Sequence, residues 1–144
     1  MKTLSAIVAS LMVGLILTGC AVKTPQKFAI ILQAGTETHE GLARALHAML
    51  YAKELKEKGH PVVLIFDGAG TEWAEALEHP DNKLHPIYEQ LKQSGITEIV
   101  CDFCSTAFKV KPALEKVGAH FDNAYNGHPS IAKWVNQGYQ LLVL

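Results

Sequence analysis

Ile99-Val100-Cys101-Asp102-Phe103-Cys104-Ser105-Thr106 is the stretch that decides the fold, because it joins a predicted strand to a predicted helical turn. Residues 96–101 are mainly apolar and indicate a buried strand that ends at Asp102. Ser105 and Thr106 can then open a helical turn. The two thiols therefore lie where a strand ends and a helix begins. In open α/β sheets, ligand and catalytic sites lie at such carboxyl ends of strands.

Cys104 lies on the helix side of this junction and Cys101 on the strand side. A helix N-terminus favours the thiolate, because its unpaired N–H groups and its dipole stabilise negative charge. We therefore expect Cys104 to be the reactive thiol and Cys101 the more buried one. A second interpretation remains open: both can be inert structural cysteines, since free cysteine is among the most buried residue types.

The chain has 144 residues, which suits one domain with an ordinary core. Its 13 Lys+Arg against 14 Asp+Glu leave no basic excess, so a nucleic-acid partner is not expected. Seven histidines are scattered along the chain. A zinc site using Cys101, Cys104, His120 and His128 would lack a standard ligand spacing, so neither a metal nor another cofactor is predicted.

The N-terminus has the pattern of a bacterial lipoprotein signal peptide. Lys2 supplies a short positive region, residues 4–17 form an uncharged apolar run, and Leu17-Thr18-Gly19-Cys20 resembles a lipobox. The apolar run is too short for an ordinary transmembrane helix. We therefore expect residues 1–19 to be removed. Cys20 would then carry a diacylglycerol on its sulfur and an acyl chain such as palmitate on its new amine.

Residues 20–26 are then a lipidated tether, and residues 27–144 form the folded domain. Several acyl chains give stable anchoring, whereas one chain would bind a membrane only marginally. We therefore expect the protein on the periplasmic side of a bacterial membrane. Ala21 lacks the charge of the aspartate that retains lipoproteins at the inner membrane of enteric bacteria. An outer-membrane location is therefore expected in a Gram-negative source.

The folded part alternates between strands and helices, which indicates βαβ units and a parallel sheet. Pro112 disfavours a helical conformation at Lys111, so a helix is expected to start only at Pro112. His39 can line the same sheet edge as the thiols, or be an exposed residue at a helix start. The predicted strands cover 27–32, 62–66, 96–101, 119–121 and 139–144, and the predicted helices cover 37–58, 71–77, 84–93, 112–117 and 129–136.

From about Lys27 onward the chain resembles the DsrE/DsrF-like family, which includes the YchN-like and TusD-like proteins. The resemblance rests on the first strand and long helix, on a Cys-x-x-Cys-x-x-Ala segment at 101–107, and on Ile131-Ala132-Lys133-Trp134-Val135 before the last strand. One departure is Phe108-Lys109-Val110, where many members have an Arg-Gly pair. Glycine permits backbone angles that other residues avoid, so this loop is expected to differ.

The resemblance implies a three-layer α/β/α domain with a five-stranded, mainly parallel sheet. It also implies homo- or hetero-oligomers, often hexamers, and for this chain we expect a homo-oligomer, either a hexamer or a trimer. By position, Cys104 matches the residue that carries a persulfide in sulfur-relay members, and Cys101 matches the extra cysteine of the YchN-like branch. The expected function is binding or relay of sulfane sulfur between a donor and an acceptor protein. The alternatives are a binding module with a structural Cys101–Cys104 disulfide and a thiol–disulfide oxidoreductase.

Overall fold

The computed structural model describes residues 24–144. The predicted signal peptide and the predicted lipid attachment at Cys20 lie outside the described residues. Within residues 24–144, no helix is both long and apolar enough to cross a membrane. The strands are β1 (Lys27–Leu32), β2 (Val62–Phe66), β3 (Thr97–Cys101), β4 (Phe121–Asp122) and β5 (Tyr139–Val143). The helices are α1 (His39–Glu57), α2 (Thr71–Ala76), α3 (His85–Gln93), α4 (Asp102–Ala107), α5 (Lys111–Lys116) and α6 (Ile131–Asn136).

The five strands form one sheet in the order β4-β3-β2-β1-β5, and every pair is parallel. β2 is buried along its whole length, because it lies at the centre of the sheet and both of its faces are covered. Side chains of α1, α2, α3 and α5 pack on one face, and Trp134 of α6 packs on the other. The predicted three-layer α/β/α architecture is confirmed.

The long first helix follows its predicted pattern closely. Thr38 caps its start, and its hydroxyl accepts a hydrogen bond from the Gly41 N–H at 2.9 Å. At the other end Gly59 adopts a left-handed conformation with φ 82°, which terminates the helix as expected for glycine. The buried side of α1 is formed mainly by small residues, which lets the helix lie close to the sheet.

α4 and α5 begin earlier than predicted, whereas α6 begins two residues later, at Ile131. α4 starts at Asp102, directly after β3, because the Cys101 side chain itself caps the first turn. The prediction that Pro112 excludes helix at Lys111 is wrong. Lys111 opens α5 with Pro112 in its first turn, where a missing N–H costs nothing. Lys109 adopts the left-handed conformation, φ 63°, so the turn between the helices forms without glycine.

Gly70 fixes the connection from β2 to α2. It ends a single 3-10 turn, Gly68–Gly70, that follows Asp67. A Cβ atom placed on Gly70 would lie 1.9 Å from the carbonyl oxygen of Leu32, at the end of β1. Only glycine allows this close approach of two backbones. The approach determines where the residues after β2 lie relative to the edge of the sheet.

Candidate functional site

The two thiols lie at the carboxyl end of β3, as the strand-to-helix boundary predicts. Cys101 is the last residue of β3 and the N-cap of α4, and its Sγ accepts a hydrogen bond from the Cys104 N–H at 3.4 Å. One turn further on, the Cys104 side chain points to the same place. Both thiols are free and buried, although Cys104 keeps 7% of its surface exposed and Cys101 none.

Asp67 reaches the thiols from the neighbouring strand. It follows β2, and parallel pairing of β2 with β3 brings the ends of both strands to one edge of the sheet. Its Oδ1 lies 3.5 Å from Cys104 Sγ, and its Oδ2 accepts a hydrogen bond from Gln33 Nε2 at 2.9 Å. Gln33 follows β1, so three adjacent strand ends contribute to this one group of side chains.

His128 completes the group from a tight turn after β4. Tyr125 and His128 exchange backbone hydrogen bonds of 2.8 and 2.9 Å across Asn126 and Gly127. Both central residues have positive φ, 51° and 86°, which is the geometry that Asn-Gly turns favour. A further hydrogen bond, from Phe103 N–H to the Gly127 carbonyl, fastens this turn to α4.

The imidazole of His128 faces both sulfur atoms. Its Nδ1 lies 3.2 Å from Cys101 Sγ and 3.6 Å from Cys104 Sγ. The imidazole ring also packs on the ring of Phe103, with ring centroids 4.9 Å apart. One atom each from Asp67, Cys101, Cys104 and His128 lies within 4.8 Å of every other, and we call these four residues the thiol cluster.

The pKa values of Asp67 and Cys101 are shifted in opposite directions within the thiol cluster. Burial raises the pKa of the Cys101 thiol, and the neighbouring Cys104 raises it further. Burial would also raise the pKa of Asp67, but hydrogen bonds from Gln33, the two thiols and the Gly68 backbone outweigh this and hold it below its usual value. Asp67 is therefore a carboxylate at neutral pH, and Cys101 is a neutral thiol that can donate to it.

The charged residues beside the thiols pair with each other. The Lys111 ammonium donates to Asp102 Oδ1, and this hydrogen bond holds the pKa of Asp102 below its usual value. Asn123 Nδ2 adds a weaker contact to Oδ2 at 3.4 Å. The charges of Asp102 and Lys111 balance each other in this ion pair, so the pair adds no net charge beside the thiol cluster.

His120 and His39, which the sequence offered as further candidates, lie outside the thiol cluster. His120 is exposed, and its carbonyl accepts the Val100 N–H beside β3, away from the thiol cluster. His39 lines a different cleft of about 480 Å³, together with Thr36, Trp73 and Asn82. Sequence reasoning missed Asp67 as a member of the site. Its position directly after a buried strand was a signal, but the pairing of that strand with β3, which brings Asp67 to the thiols, is visible only in the structure.

Comparisons with known proteins agree with this architecture. The model of the DsrE/DsrF-like family matches residues 26–144. The uncharacterized protein MJ0733 of Methanocaldococcus jannaschii is 33% identical over 99 residues, covering 69% of this chain and 78% of that relative. A solved structure of BT1422, a conserved protein of unknown function from Bacteroides thetaiotaomicron, superposes with a TM-score of 0.56.

The BT1422 match covers 83% of this chain and 95% of that one at 20% sequence identity, so it shows a shared fold alone. The family match covers the whole described domain except its first two residues. This chain belongs to the DsrE/DsrF-like family. Membership, together with two thiols at the end of β3, supports a general sulfur-related role.

Proposed function

We propose that this protein carries sulfane sulfur as a persulfide on Cys104. One observation carries the proposal: Cys104 Sγ lies between the Asp67 carboxylate and the His128 imidazole, with a second thiol in reach. A nucleophilic thiol needs a nearby group that accepts its proton, and an imidazole is the usual one. Cys104 is also the thiol with exposed surface, through which a donor can reach it.

In the loading step, unprotonated Nδ1 of His128 takes the proton of the Cys104 thiol. The thiolate attacks the outer sulfur of a donor persulfide, R–S–SH, and forms a new S–S bond while the donor's S–S bond breaks. The donor leaves as a thiolate and receives from His128 the proton that came from Cys104. The products are a Cys104 persulfide and a donor thiol, so sulfur moves without any net oxidation or reduction.

In the release step, an acceptor thiolate attacks the outer sulfur and regenerates the Cys104 thiol. Cys101 offers a second outcome, because its sulfur and that of Cys104 lie within 4.8 Å. Its thiolate can attack the inner sulfur, which forms a Cys101–Cys104 disulfide and expels hydrosulfide. This outcome is slow while Cys101 stays protonated, since the thiolate is the nucleophile and burial raises the pKa of Cys101.

We also propose that the protein works outside the cytoplasm, held on a membrane by lipid on Cys20. The support is the pattern of Lys2, an apolar run and Leu17-Thr18-Gly19-Cys20. Intact-mass analysis of the membrane-purified protein should show a chain that begins at an acylated Cys20. An unmodified chain that still begins at Met1 in its native host would overturn the anchoring proposal.

A homo-oligomer is proposed as the working form. Ile131 and Val135 of α6 and Val143 of the edge strand β5 are exposed apolar side chains near the end of the chain. A second copy that packs on them would remove this surface from water. Light scattering of the purified protein should give a trimer or hexamer, and a monomer at micromolar concentration would contradict the proposal.

The experiment for the sulfur-carrier function uses mass spectrometry of the reduced full chain after treatment with a small persulfide donor. The wild type should gain one sulfur atom, and Cys104→Ser should gain none. Cys101→Ser should keep the added sulfur for longer, because the thiol that expels it is gone. Tyr125→Phe, an exposed tyrosine near the site, serves as the control and should behave as the wild type.

If Cys101→Ser takes up no sulfur, Cys104 is not the acceptor and the proposal fails. If the wild type gains no sulfur but cycles between dithiol and disulfide, one of the two alternatives holds. A very negative reduction potential would then indicate a structural disulfide, and a potential near that of the glutathione pool would indicate an oxidoreductase.

A further inference from the structure

The thiol cluster brings four potential metal ligands within 4.8 Å of one another, at spacings close to those of a four-ligand metal site. In a tetrahedral zinc site, bonds of about 2.3 Å to sulfur and about 2.1 Å to nitrogen or oxygen place sulfur about 3.6 Å from the other donors. Here Cys104 Sγ lies 3.6 Å from His128 Nδ1 and 3.5 Å from Asp67 Oδ1. The remaining sulfur–nitrogen distance, from Cys101 to His128, is 3.2 Å.

The chemistry of the donors narrows the choice of ion. Two thiolates, one imidazole and one carboxylate form a mixed sulfur, nitrogen and oxygen set. Magnesium and calcium prefer six or more oxygen ligands, so they do not fit. Zn²⁺ takes four ligands of these three types in tetrahedral geometry. Two thiolates and the Asp67 carboxylate also supply negative charge that a divalent cation balances.

The ligands are held in place before any ion arrives. Gln33 donates to the outer oxygen of Asp67 and leaves the inner oxygen facing the sulfur atoms. The backbone hydrogen bonds of the Tyr125–His128 turn and the contact with Phe103 orient the imidazole. Groups that orient metal ligands in this way commonly change affinity ten- to a hundredfold when they are removed.

We propose that Asp67, Cys101, Cys104 and His128 bind one Zn²⁺ ion in tetrahedral geometry. On binding, both thiols lose their protons to solvent, and four bonds to the ion replace the contacts among the four side chains. The sequence spacing did not predict this set, because Asp67 precedes Cys101 by 34 positions and His128 follows Cys104 by 24. Zinc binding goes beyond the sulfur-carrier function. A bound ion occupies both sulfur atoms, so the zinc-loaded protein does not accept sulfur.

The test titrates the reduced, metal-free full chain first with Co²⁺ and then with Zn²⁺. Cobalt bound by two thiolates in a tetrahedral site gives an intense visible ligand-field band and a near-ultraviolet sulfur-to-metal band. We expect both bands to saturate at one cobalt per chain and to disappear when zinc displaces cobalt. A spectrum of octahedral cobalt, or no saturation, would overturn the proposal.

Variants then identify the ligands by competition for zinc with a chromophoric chelator. Cys101→Ser and Cys104→Ser should weaken zinc binding by more than about a hundredfold, and Asp67→Asn and His128→Ala by at least about tenfold. His120→Ala removes an exposed histidine outside the cluster and should bind zinc as tightly as the wild type. Unchanged affinity in both Asp67→Asn and His128→Ala, or an equal loss in His120→Ala, contradicts this ligand set.

Sulfur uptake by the same samples separates the two proposals. The metal-free protein should gain one sulfur atom from the persulfide donor, and the zinc-loaded protein should gain none until a chelator removes the ion. If sulfur is taken up but no metal binds, the zinc proposal fails and the carrier function stands. If zinc binds to these four residues but metal-free protein takes up no sulfur, the carrier function fails and the zinc site stands.

Discussion

Two groups of titratable side chains lie along β3, one at each end. The thiol cluster lies at the carboxyl end. At the amino end, the Tyr88 hydroxyl lies 2.7 Å from Glu98 Oε2 and 3.0 Å from Glu78 Oε1. Lys92 Nζ binds Glu78 at 2.9 Å. We call these four residues the carboxylate cluster. Tyr88 and Lys92 come from α3, Glu98 from β3 and Glu78 from the turn after α2. The thiol cluster instead combines the ends of β2 and β3, the first turn of α4 and the turn after β4.

The two clusters differ in how completely their polar atoms are hydrogen-bonded. In the carboxylate cluster an ion pair and a hydroxyl occupy the acceptors, and burial raises the pKa of Glu98, which favours a shared proton. Tyr88 has one hydroxyl hydrogen and two acceptors, so a protonated Glu98 can donate to it while it donates to Glu78. The thiol cluster contains no lysine or arginine. Apart from the 3.2 Å contact between Cys101 Sγ and His128 Nδ1, its sulfur atoms make only longer contacts of 3.4 to 3.6 Å.

Gly70→Ala should cause the largest loss of stability, because it disturbs the backbone between β2 and α2, next to the Asp67 end of the thiol cluster. The new Cβ would overlap the Leu32 carbonyl, so the loop after β2 must shift. We expect a loss of about 3 kcal/mol or more in the free energy of unfolding, measured in urea. Gly59→Ala is the control: it lies in open space and should lose only about 1 kcal/mol, from its positive φ. Equal losses in the two variants would mean that the close approach is unimportant.

Tyr88→Phe should affect the carboxylate cluster alone. It removes a buried hydroxyl and leaves Glu78 and Glu98 without that hydrogen bond. The free energy of unfolding should fall by about 1–3 kcal/mol. Sulfur uptake and cobalt binding should not change. A variant that keeps wild-type stability but loses either activity would show that the two clusters are coupled through β3.

The two thiols should react at different rates. Cys101 is fully buried and burial raises its pKa, whereas Cys104 keeps some exposed surface. At neutral pH, alkylation followed by peptide mapping should label Cys104 at least about tenfold faster, since a tenfold difference in thiolate corresponds to one pKa unit. Cys104→Ser should then label slowly and Cys101→Ser rapidly. Faster labelling of Cys101 would reverse the assignment of the nucleophile.

Glu98→Gln should give the smallest effect, a change in the pH dependence of stability. The folded protein raises the pKa of Glu98 above its ordinary value of 4.5, so it binds that proton more tightly than the unfolded chain does. The associated stability is complete below pH 4.5 and is lost as the pH rises through the raised pKa. The variant should lack this decline, so it should gain stability relative to the wild type as the pH rises. Parallel curves would show that Glu98 is not protonated in the fold.

Regular elements could be predicted from sequence because their signals are local. The apolar runs of β1 and β2 give the observed bounds, and Thr38 with Gly59 brackets α1 within two residues. The start of α4 could not be predicted in this way. Cysteine is an unusual N-cap, so nothing local indicated that Cys101 would replace the expected Ser105 or Thr106.

Only half of the thiol cluster could be found from sequence. Cys101 and Cys104 stand at a strand end, and the order of elements was enough to place them. Asp67 joins them because β2 pairs with β3, a pairing that sequence order alone does not establish. His128 depends on the left-handed pair Asn126 and Gly127, which turns the chain back toward α4. An Asn-Gly pair is a turn signal, but the signal does not say which side chain the turn presents, or to what.

The pairing of β1 with β5 has a consequence for biosynthesis. β1 is the first strand of the sheet to be made and β5 the last, yet they are neighbours. Until residues 139–143 emerge, one edge of β1 has no partner, and Phe28-Ala29-Ile30-Ile31-Leu32 presents unpaired backbone groups next to apolar side chains. Such an edge can pair with other chains. A chain in which β5 has not yet docked therefore exposes an apolar strand edge through which it can aggregate.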